Sequence, residues 1–296
     1  MSLIENSLLG ERNKVDIAIK RLQSFEPPEG YFLSFSGGKD SQCIYHLAKM
    51  ASVKFEAHFH ITSVDPPELI AFIREHYPDV IWDIPKDADG KRMTMWSLIP
   101  KCKMPPTRFY RFCCSYLKES AGKGRMNVTG VRWAESRARK ENHSVLDIRG
   151  KPKTTQKLAK TLGVDHRVKK SGEIVLNEDN DAARRMAEQC YRTQKSILNP
   201  IIDWTDDDVW EFLNDVVKVP HCCLYDEGWE RIGCIGCPLG GVKQQKEHFE
   251  RYPKYRALYV KAFDKMLQQE DRKYESSDTW KSGEDVMKWW LKEEES

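Results

Sequence analysis

Two sets of residues in this chain have types and spacings that could do chemistry. The first is "SFSGGKDS", Ser34 to Ser41, which follows the apolar run Tyr31–Leu33 and precedes an amphipathic stretch. Small and glycine residues let the backbone turn tightly with its N–H groups outward, and at a helix start those groups favour an anion. Lys39 adds positive charge, so the natural guest is a phosphate. The second set is thiol. Cys113 and Cys114 are adjacent, Cys222 and Cys223 are adjacent, and Cys234 and Cys237 form C-x-x-C. Cys43 and Cys102 read as packing residues, Cys102 in an irregular polar stretch. Cys190 could be a structural thiol or a reactive sulfur carrier.

Secondary structure must position these groups. Glu11 to Leu22 has helical periodicity, and "EPPEG" breaks it before a strand at Tyr31–Phe35. "DSQCIYHLAKMA" predicts a helix with Cys43, Ile44, Leu47 and Ala48 inward. A strand over Phe55–Ser63, a helix in "PPELIAFIREHYP", a strand in "VIWDI" and a strand over Met126–Val131 continue the alternation. That order predicts an α/β fold, a doubly wound, mainly parallel sheet flanked by helices. "DDDVWEFLNDV" reads as a helix whose acidic first turn suits the positive end of its dipole. The expected organisation is a nucleotide-binding domain over 1–243, with a polar loop insertion or flap at about 150–180, and a helical extension over 244–296. In that extension Phe249, Tyr252, Tyr255, Tyr259 and Phe263 read as a packing face, with base stacking as the alternative.

Composition narrows the classes. The 296 residues hold 48 Lys and Arg against 45 Asp and Glu, a net charge of +3 that does not by itself demonstrate a nucleic-acid partner. Residues 149–170 are locally basic and read as a solvated loop. No run of about twenty apolar residues predicts a membrane span. Nine cysteines without a secretion signal argue for a reducing, cytoplasmic setting rather than a disulfide scaffold.

"SFSGGKDS" matches neither the Walker nor the Rossmann glycine pattern. It resembles the PP-loop of the adenine nucleotide alpha hydrolase family, whose members bind ATP or an adenylyl sulfonucleotide. The resemblance implies that Ser34, Ser36, Gly37, Gly38, Asp40 and Ser41 wrap the phosphates, with Lys39 and a magnesium ion neutralising charge. "GVRWAESRAR" resembles the family's second basic motif. It implies that Gly130, Arg132, Glu135, Ser136 and Arg137, with Arg139 beside them, face the nucleotide, where the planar guanidinium fork suits phosphate or sulfate oxygens. Lys39, Asp40, Arg132 and Arg137 are then the catalytic candidates. "VDPPELIAFIREHYPDV", "NPIIDWTDDDVWEFL" and "CCLYDEGWERIGCIGCP" look like the PAPS reductase branch. The first of these implies that Thr62 to Asp65 lie near the adenine and ribose. The likeness covers roughly residues 30 to 240.

The cysteine order, tandem CC and then C-x-x-C, resembles that of sulfonucleotide reductases carrying a [4Fe–4S] cluster, for which thiolates are the required soft ligands. Cys113, Cys114, Cys234 and Cys237 are the implied ligands, Cys222 is a rival for one place, and zinc is the alternative metal. Those reductases attack from a cysteine in a C-terminal tail, and no cysteine follows Cys237 here. The chain therefore resembles more the neighbouring branch that includes DNA phosphorothioation enzymes. That likeness implies ATP-dependent adenylylation of an oxygen, pyrophosphate release and sulfur insertion, with a cysteine desulfurase or other sulfur donor and DNA or RNA as partners. The alternatives are a reductase releasing sulfite from a sulfonucleotide, or a non-catalytic nucleotide-binding subunit.

Overall fold

The computed structural model describes residues 3–7, 10–119, 121–149, 152–169, 172–177, 180, 183, 195–269 and 280–293. Cys190 lies outside them. In chain order the elements begin with β1 (Ile4–Ser7), β2 (Gly10–Asn13), α1 (Lys14–Ser24), β3 (Tyr31–Ser34), α2 (Lys39–Met50), β4 (Phe55–His60), α3 (Pro67–His76) and β5 (Ile81–Asp83). They continue with α4 (Met95–Cys102), α5 (Phe112–Leu117), β6 (Met126–Val128), α6 (Arg137–Asn142), β7 (Leu146–Arg149), α7 (Pro152–Thr161), β8 (His166–Val168), β9 (Ile174–Leu176) and β10 (Lys195–Leu198). The last are α8 (Asp206–Glu211), α9 (Gly241–Arg251), α10 (Pro253–Leu267) and α11 (Gly283–Trp290).

β1 and β2 pair as a separate antiparallel hairpin, and the other described strands form a mostly parallel eight-stranded sheet of order β5-β4-β3-β6-β10-β7-β9-β8. The pairings β3–β4, β3–β6 and β6–β10 are parallel, whereas β7, β9 and β8 add an antiparallel edge. This is the α/β architecture expected from the alternation. The order reverses at β3, with β4 on one side and β6 on the other. Ligands of such sheets bind beyond the carboxyl ends of strands at this kind of switch point. The phosphate-type turn follows β3, and "GVRWAES" follows β6.

The stretch at 150–180, expected as a polar loop or flap, instead contains α7, β8 and β9. Its average polarity conceals a buried set: Ala159, Val164, Ile174, Val175 and Leu176 are all inside. The helix foreseen at "DDDVWEFLNDV" changes pitch after Glu211 and closes as a π-turn over Phe212–Val216. Cys102 ends α4 rather than lying in irregular chain. Among the described residues no helix is long and apolar enough to cross a membrane.

The chain divides into two compact units. Unit 1 holds residues 1–59, 72–81 and 122–226, and unit 2 holds 60–71, 82–121 and 227–296. In unit 1, α2 turns Cys43, Ile44, Leu47 and Ala48 fully inward. In unit 2, α4, α5, α9, α10 and α11 share one core. There Phe249, Tyr252, Tyr259 and Phe263 are buried beside Ile99, Phe112, Val286 and Trp290, and Tyr255 is partly buried against them.

One buried ion pair ties the start of unit 1 to α8. Lys14 Nζ lies 2.7 Å from Asp208 Oδ2 and 3.0 Å from Glu5 Oε1, and Asp208 is fully buried. Lys14→Ala strands that carboxylate, and although the Thr205 N–H also serves it, denaturant melts are expected to show a loss of about 3 kcal/mol. Burial pulls the Lys14 pKa down, but Asp208 and Glu5 outweigh it and hold the ammonium above its ordinary 10.5. The pair's contribution is therefore intact below about pH 10.5 and lost as pH rises through the folded value, which an alkaline stability series on wild type and Lys14→Ala would show.

Candidate functional site

The turn after β3 is held by its own hydroxyls. Gly38 N–H donates to Ser36 Oγ at 3.4 Å, Ser36 donates to Ser41 Oγ at 3.2 Å, and Ser41 donates to the Gly38 carbonyl at 2.8 Å. Gly37 makes the bend with φ +73°, a left-handed conformation open to glycine at little cost. Ser34 ends β3, half-buried and in register with His58. Twelve-residue α2 then starts without a side-chain cap on Gly38, so its first N–H groups form the positive end of a helix with no residue of the turn assigned to them.

What does reach that end is Tyr225. Its hydroxyl accepts from Lys39 N–H at 2.9 Å, and the Lys39 ammonium lies 5.8 Å from the Tyr225 ring and 5.9 Å from the Trp210 ring. Burial pushes the Tyr225 pKa up, so its oxygen stays a neutral hydroxyl.

Arg132 organises the charges. It is 2% exposed, its Nε donates to Asp40 Oδ1 at 2.7 Å, its Nη2 donates to Asp206 Oδ1 at 2.9 Å, and its Nη1 donates to the Trp204 carbonyl at 3.3 Å. Lys39 Nζ shares Asp206 Oδ1 at 3.2 Å. Two cations and two carboxylates thus alternate at the start of α2. Burial raises the Asp40 pKa, and Arg132 and Lys39 offset only part of the rise, which Glu135 reinforces. Asp206 is more open, and there Arg132 and Lys39 outweigh burial and bring the pKa down.

The other residues of the basic motif divide. Gly130 packs on the loop itself, since a Cβ there would lie 2.8 Å from the Asp40 carbonyl oxygen. Glu135 Oε1 accepts from Arg132 N–H at 3.1 Å and pairs with Arg139 at 3.0 Å, while Ser136 caps α6. These groups hold the turn that carries Arg132. Arg137 is not brought to the Asp40–Asp206 pair. Its side chain is 92% exposed and pairs with Glu141 at 2.8 Å.

In unit 2 the thiols gather. Cys113 and Cys114 lie on α5, and the Cys113 thiol donates to the Cys114 sulfur. That contact raises Cys113, with burial and the charges of Cys114, Cys234 and Cys237 adding to it, and the same contact lowers Cys114. Burial raises Cys234 while Lys118 opposes it. Cys234 in turn draws the Lys118 pKa upward against burial, helped by Asp65 and Cys114. The C-x-x-C loop is pinned from below. Ile235 N–H donates to the Val64 carbonyl at 2.7 Å, Gly236 N–H donates to His248 Nδ1 at 3.1 Å, and Tyr259 donates to the Ile235 carbonyl at 3.0 Å. Among the described residues, no three or more His, Cys, Asp or Glu side chains stand placed to hold a metal ion.

Asp65 also belongs to this group. Its carboxylate accepts from Thr62 N–H and Oγ1 at 2.7 and 2.8 Å, and Thr62 Oγ1 is 3.6 Å from Cys234 Sγ. Cys222 lies in unit 1, buried, its carbonyl accepting from Tyr225 N–H at 3.0 Å. Asp206, Tyr225 and Lys118 are the residues that sequence reasoning missed. Lys118 carried a readable signal, one helical turn after Cys114. Asp206 was absorbed into the dipole reading of "DDD", and nothing local marks Tyr225.

The phosphoadenosine phosphosulfate reductase domain family matches residues 30–239. An uncharacterized protein of Methanocaldococcus jannaschii is 26% identical over 257 residues, covering 86% of this chain and 53% of that protein. This chain thus spans about half the length of that relative. A shorter match, 50% identical over 38 residues, covers 13% of this chain and 15% of the adenosine 5'-phosphosulfate reductase of Oceanobacillus iheyensis.

The packing of Gly130 on the loop yields a direct test. Gly130→Ala drives a methyl against the Asp40 backbone and is expected to cost about 1–3 kcal/mol in denaturant unfolding. Gly233→Ala, where a Cβ meets open space, is expected to stay within about 0.5 kcal/mol of wild type. Equal stabilities would show that the loop yields freely at this point.

Proposed function

From the premise that the chain belongs to the phosphoadenosine phosphosulfate reductase domain family, we propose that it is an ATP-binding PP-loop enzyme that adenylylates a substrate oxygen to prepare sulfur insertion, with a nucleic acid as the acceptor. The observation that carries this reading is the start of α2, uncapped by its own turn and flanked by Lys39 and Arg132.

In this reaction an acceptor oxygen attacks the α-phosphorus of ATP, the bond to the bridging oxygen breaks, and pyrophosphate leaves with the electron pair. The acceptor then carries AMP, a far better leaving group than oxide. A sulfur nucleophile displaces AMP and forms the bond to sulfur. The α2 N–H groups and Lys39 receive the pyrophosphate, and Arg132, already fixed by two carboxylates, presents charge without reorganising. Tyr225 holds the Lys39 N–H until a phosphate oxygen takes it. Asp40 is the loop carboxylate that would hold magnesium, which supplies charge neutralisation at the phosphates.

The chemistry of the donor set in unit 2 suits a thiolate-held centre, because Cys113 is raised first by its contact with Cys114 and by burial, with the charges of Cys114, Cys234 and Cys237 adding to it, and Lys118 supplies positive charge beside Cys114 and Cys234. Those four residues would hold a [4Fe–4S] cluster, which would brace unit 2 or store sulfur delivered by a desulfurase. Zinc is the alternative for the same donors.

The second reading is reduction of an adenylyl sulfonucleotide with sulfite release, favoured by the short reductase match. Product assays separate the two: pyrophosphate from ATP supports the first, and sulfite from adenylyl sulfate supports the second. Lys39→Ala is expected to weaken ATP binding about 10–100-fold, the 1.5–3 kcal/mol of a charged hydrogen bond, with the circular dichroism spectrum unchanged. Unaltered affinity in a titration would remove the phosphate-loop reading. Anaerobically purified protein is expected to be brown, with about four iron and four sulfide per chain. Cys234→Ser and Cys237→Ser are expected to lose the colour and Cys43→Ser to keep it, whereas colourless protein with one zinc would transfer the site to a structural role.

A further inference from the structure

A second site in unit 1 lies beside the turn that carries Arg132. A cavity of about 540 Å³ is lined there by Trp133, Arg137, Lys140, Arg167, Leu176 and Asn177, with Glu141 as the one carboxylate among its lining groups. Its volume falls in the range of small-molecule and single-nucleotide sites, roughly 300–1,000 Å³. The chemistry of the wall is two-sided. Trp133 is half-buried and its Nε1–H donates to the His143 carbonyl at 2.9 Å, so the indole is fixed while part of it stays open. Arg137 and Lys140, at i and i+3 on α6, and Arg167 from β8 supply three cations against one acid. A held aromatic plane with an excess of positive charge fits a ligand that joins a stacking ring to phosphate.

The positive surface continues beyond one nucleotide. Helix α7 turns Thr155 and Ala159 inward and exposes Lys153, Lys157 and Lys160 at i, i+4 and i+7, along one face. It packs against β9, whose Leu176 lines the cavity. Residues 149–170 contain eight Lys and Arg against one Asp, and Lys153, Lys157 and Lys160 in α7 and Arg167 in β8 are given a fixed direction by those elements. A mononucleotide would use the cavity and leave the stripe idle. A strand would use both.

We propose that this cavity and the α7 lysine stripe bind a nucleic-acid strand, a base against Trp133 and phosphates on Lys140, Arg167 and the stripe, as the acceptor subsite of the reaction. The acceptor role rests on the adenylylation reading above. Arg132, extended at φ −131° and ψ 146°, immediately precedes a 3₁₀ turn that opens with Trp133. Arg132 reaches Asp40 of the loop, and Trp133 lines the cavity. One turn therefore serves the phosphate loop with Arg132 and this cavity with Trp133.

The test uses the full chain and a fluorescein-labelled 20-nucleotide single strand, followed by anisotropy across a salt series with saturating ATP. Wild type is expected to bind with an affinity that falls steeply with salt. Lys140→Gln with Arg167→Gln is expected to lower the log–log salt slope by about 1.4, two phosphate contacts at about 0.7 each for a single strand, with ATP affinity unchanged. Trp133→Leu is expected to lose about ten-fold in strand affinity, within the cost of one lost base–aromatic stack, and Trp133→Phe to recover most of it. Strand binding that ignores the double substitution overturns the proposal, as does AMP competing as strongly as the strand. ATP binding in wild type without any strand binding overturns it too, and leaves the phosphate-loop reading standing. Strand binding with the expected variant effects but no ATP binding supports the strand site and removes the adenylylation reading instead.

Discussion

A guanidinium that is 2% exposed can stay in a protein interior only if acceptors surround it, and the arrangement of unit 1 around the phosphate-type turn follows from meeting that demand for Arg132. Asp40 comes from the first turn of α2, Asp206 from the first turn of α8, and the Trp204 carbonyl from the segment before α8. Two stretches distant in sequence, around Asp40 and around Trp204–Asp206, are thereby fixed to one side chain. Lys39 shares Asp206, so the second cation is placed by the same network. A site assembled this way has its positive charge oriented before any anion arrives, which is the condition under which electrostatics lowers a barrier rather than merely attracting a ligand.

Much of this was legible in the chain. The strand–turn–helix run around "SFSGGKDS" and the strand before "GVRWAES" are periodic and punctuated by glycine, so their elements and order could be read directly. The segment at 150–180 could not, because a helix with lysines on one face and short strands with three-residue cores give a polar average. Its buried residues, Ala159, Ile174, Val175 and Leu176, are few and spread between charges. Asp206 and Tyr225 were hidden for a different reason. A carboxylate at a helix start and a tyrosine in a loop are ordinary locally, and only a tertiary contact gives them a role. Arg137 is the reverse case: the motif resemblance implies that it faces the nucleotide with Arg132, and α6 places its side chain outward against Glu141.

The thiol group depends on its surroundings in the same way. C-x-x-C announces two close sulfurs, but the loop conformation is imposed by residues far along the chain. Gly236 sits at φ +71° with Phe249 so close that a Cβ would fall 2.5 Å from its ring. His248 accepts from the Gly236 N–H, Gln245 donates to its carbonyl, and Tyr259 secures Ile235. The helical extension is therefore the support on which Cys234 and Cys237 rest. Its aromatic residues serve packing, and a substitution in α9 or α10 would act on the sulfurs through the backbone of that loop.

The two halves of the sheet divide the work between them. Parallel strands β3 and β6 bring two turns to one end of the sheet, which is what places Gly130 against Asp40 and Arg132 within reach of the loop. The antiparallel strands β7, β9 and β8 add no such crossover turn. They extend the surface next to α6 and supply Leu176 and Arg167 to its cavity. A parallel sheet alone would end at β10, with the turns after β3 and β6 and nothing beside them. Continuing as an antiparallel edge lets the same unit form a cavity lined by Trp133, the residue that follows Arg132 in the chain.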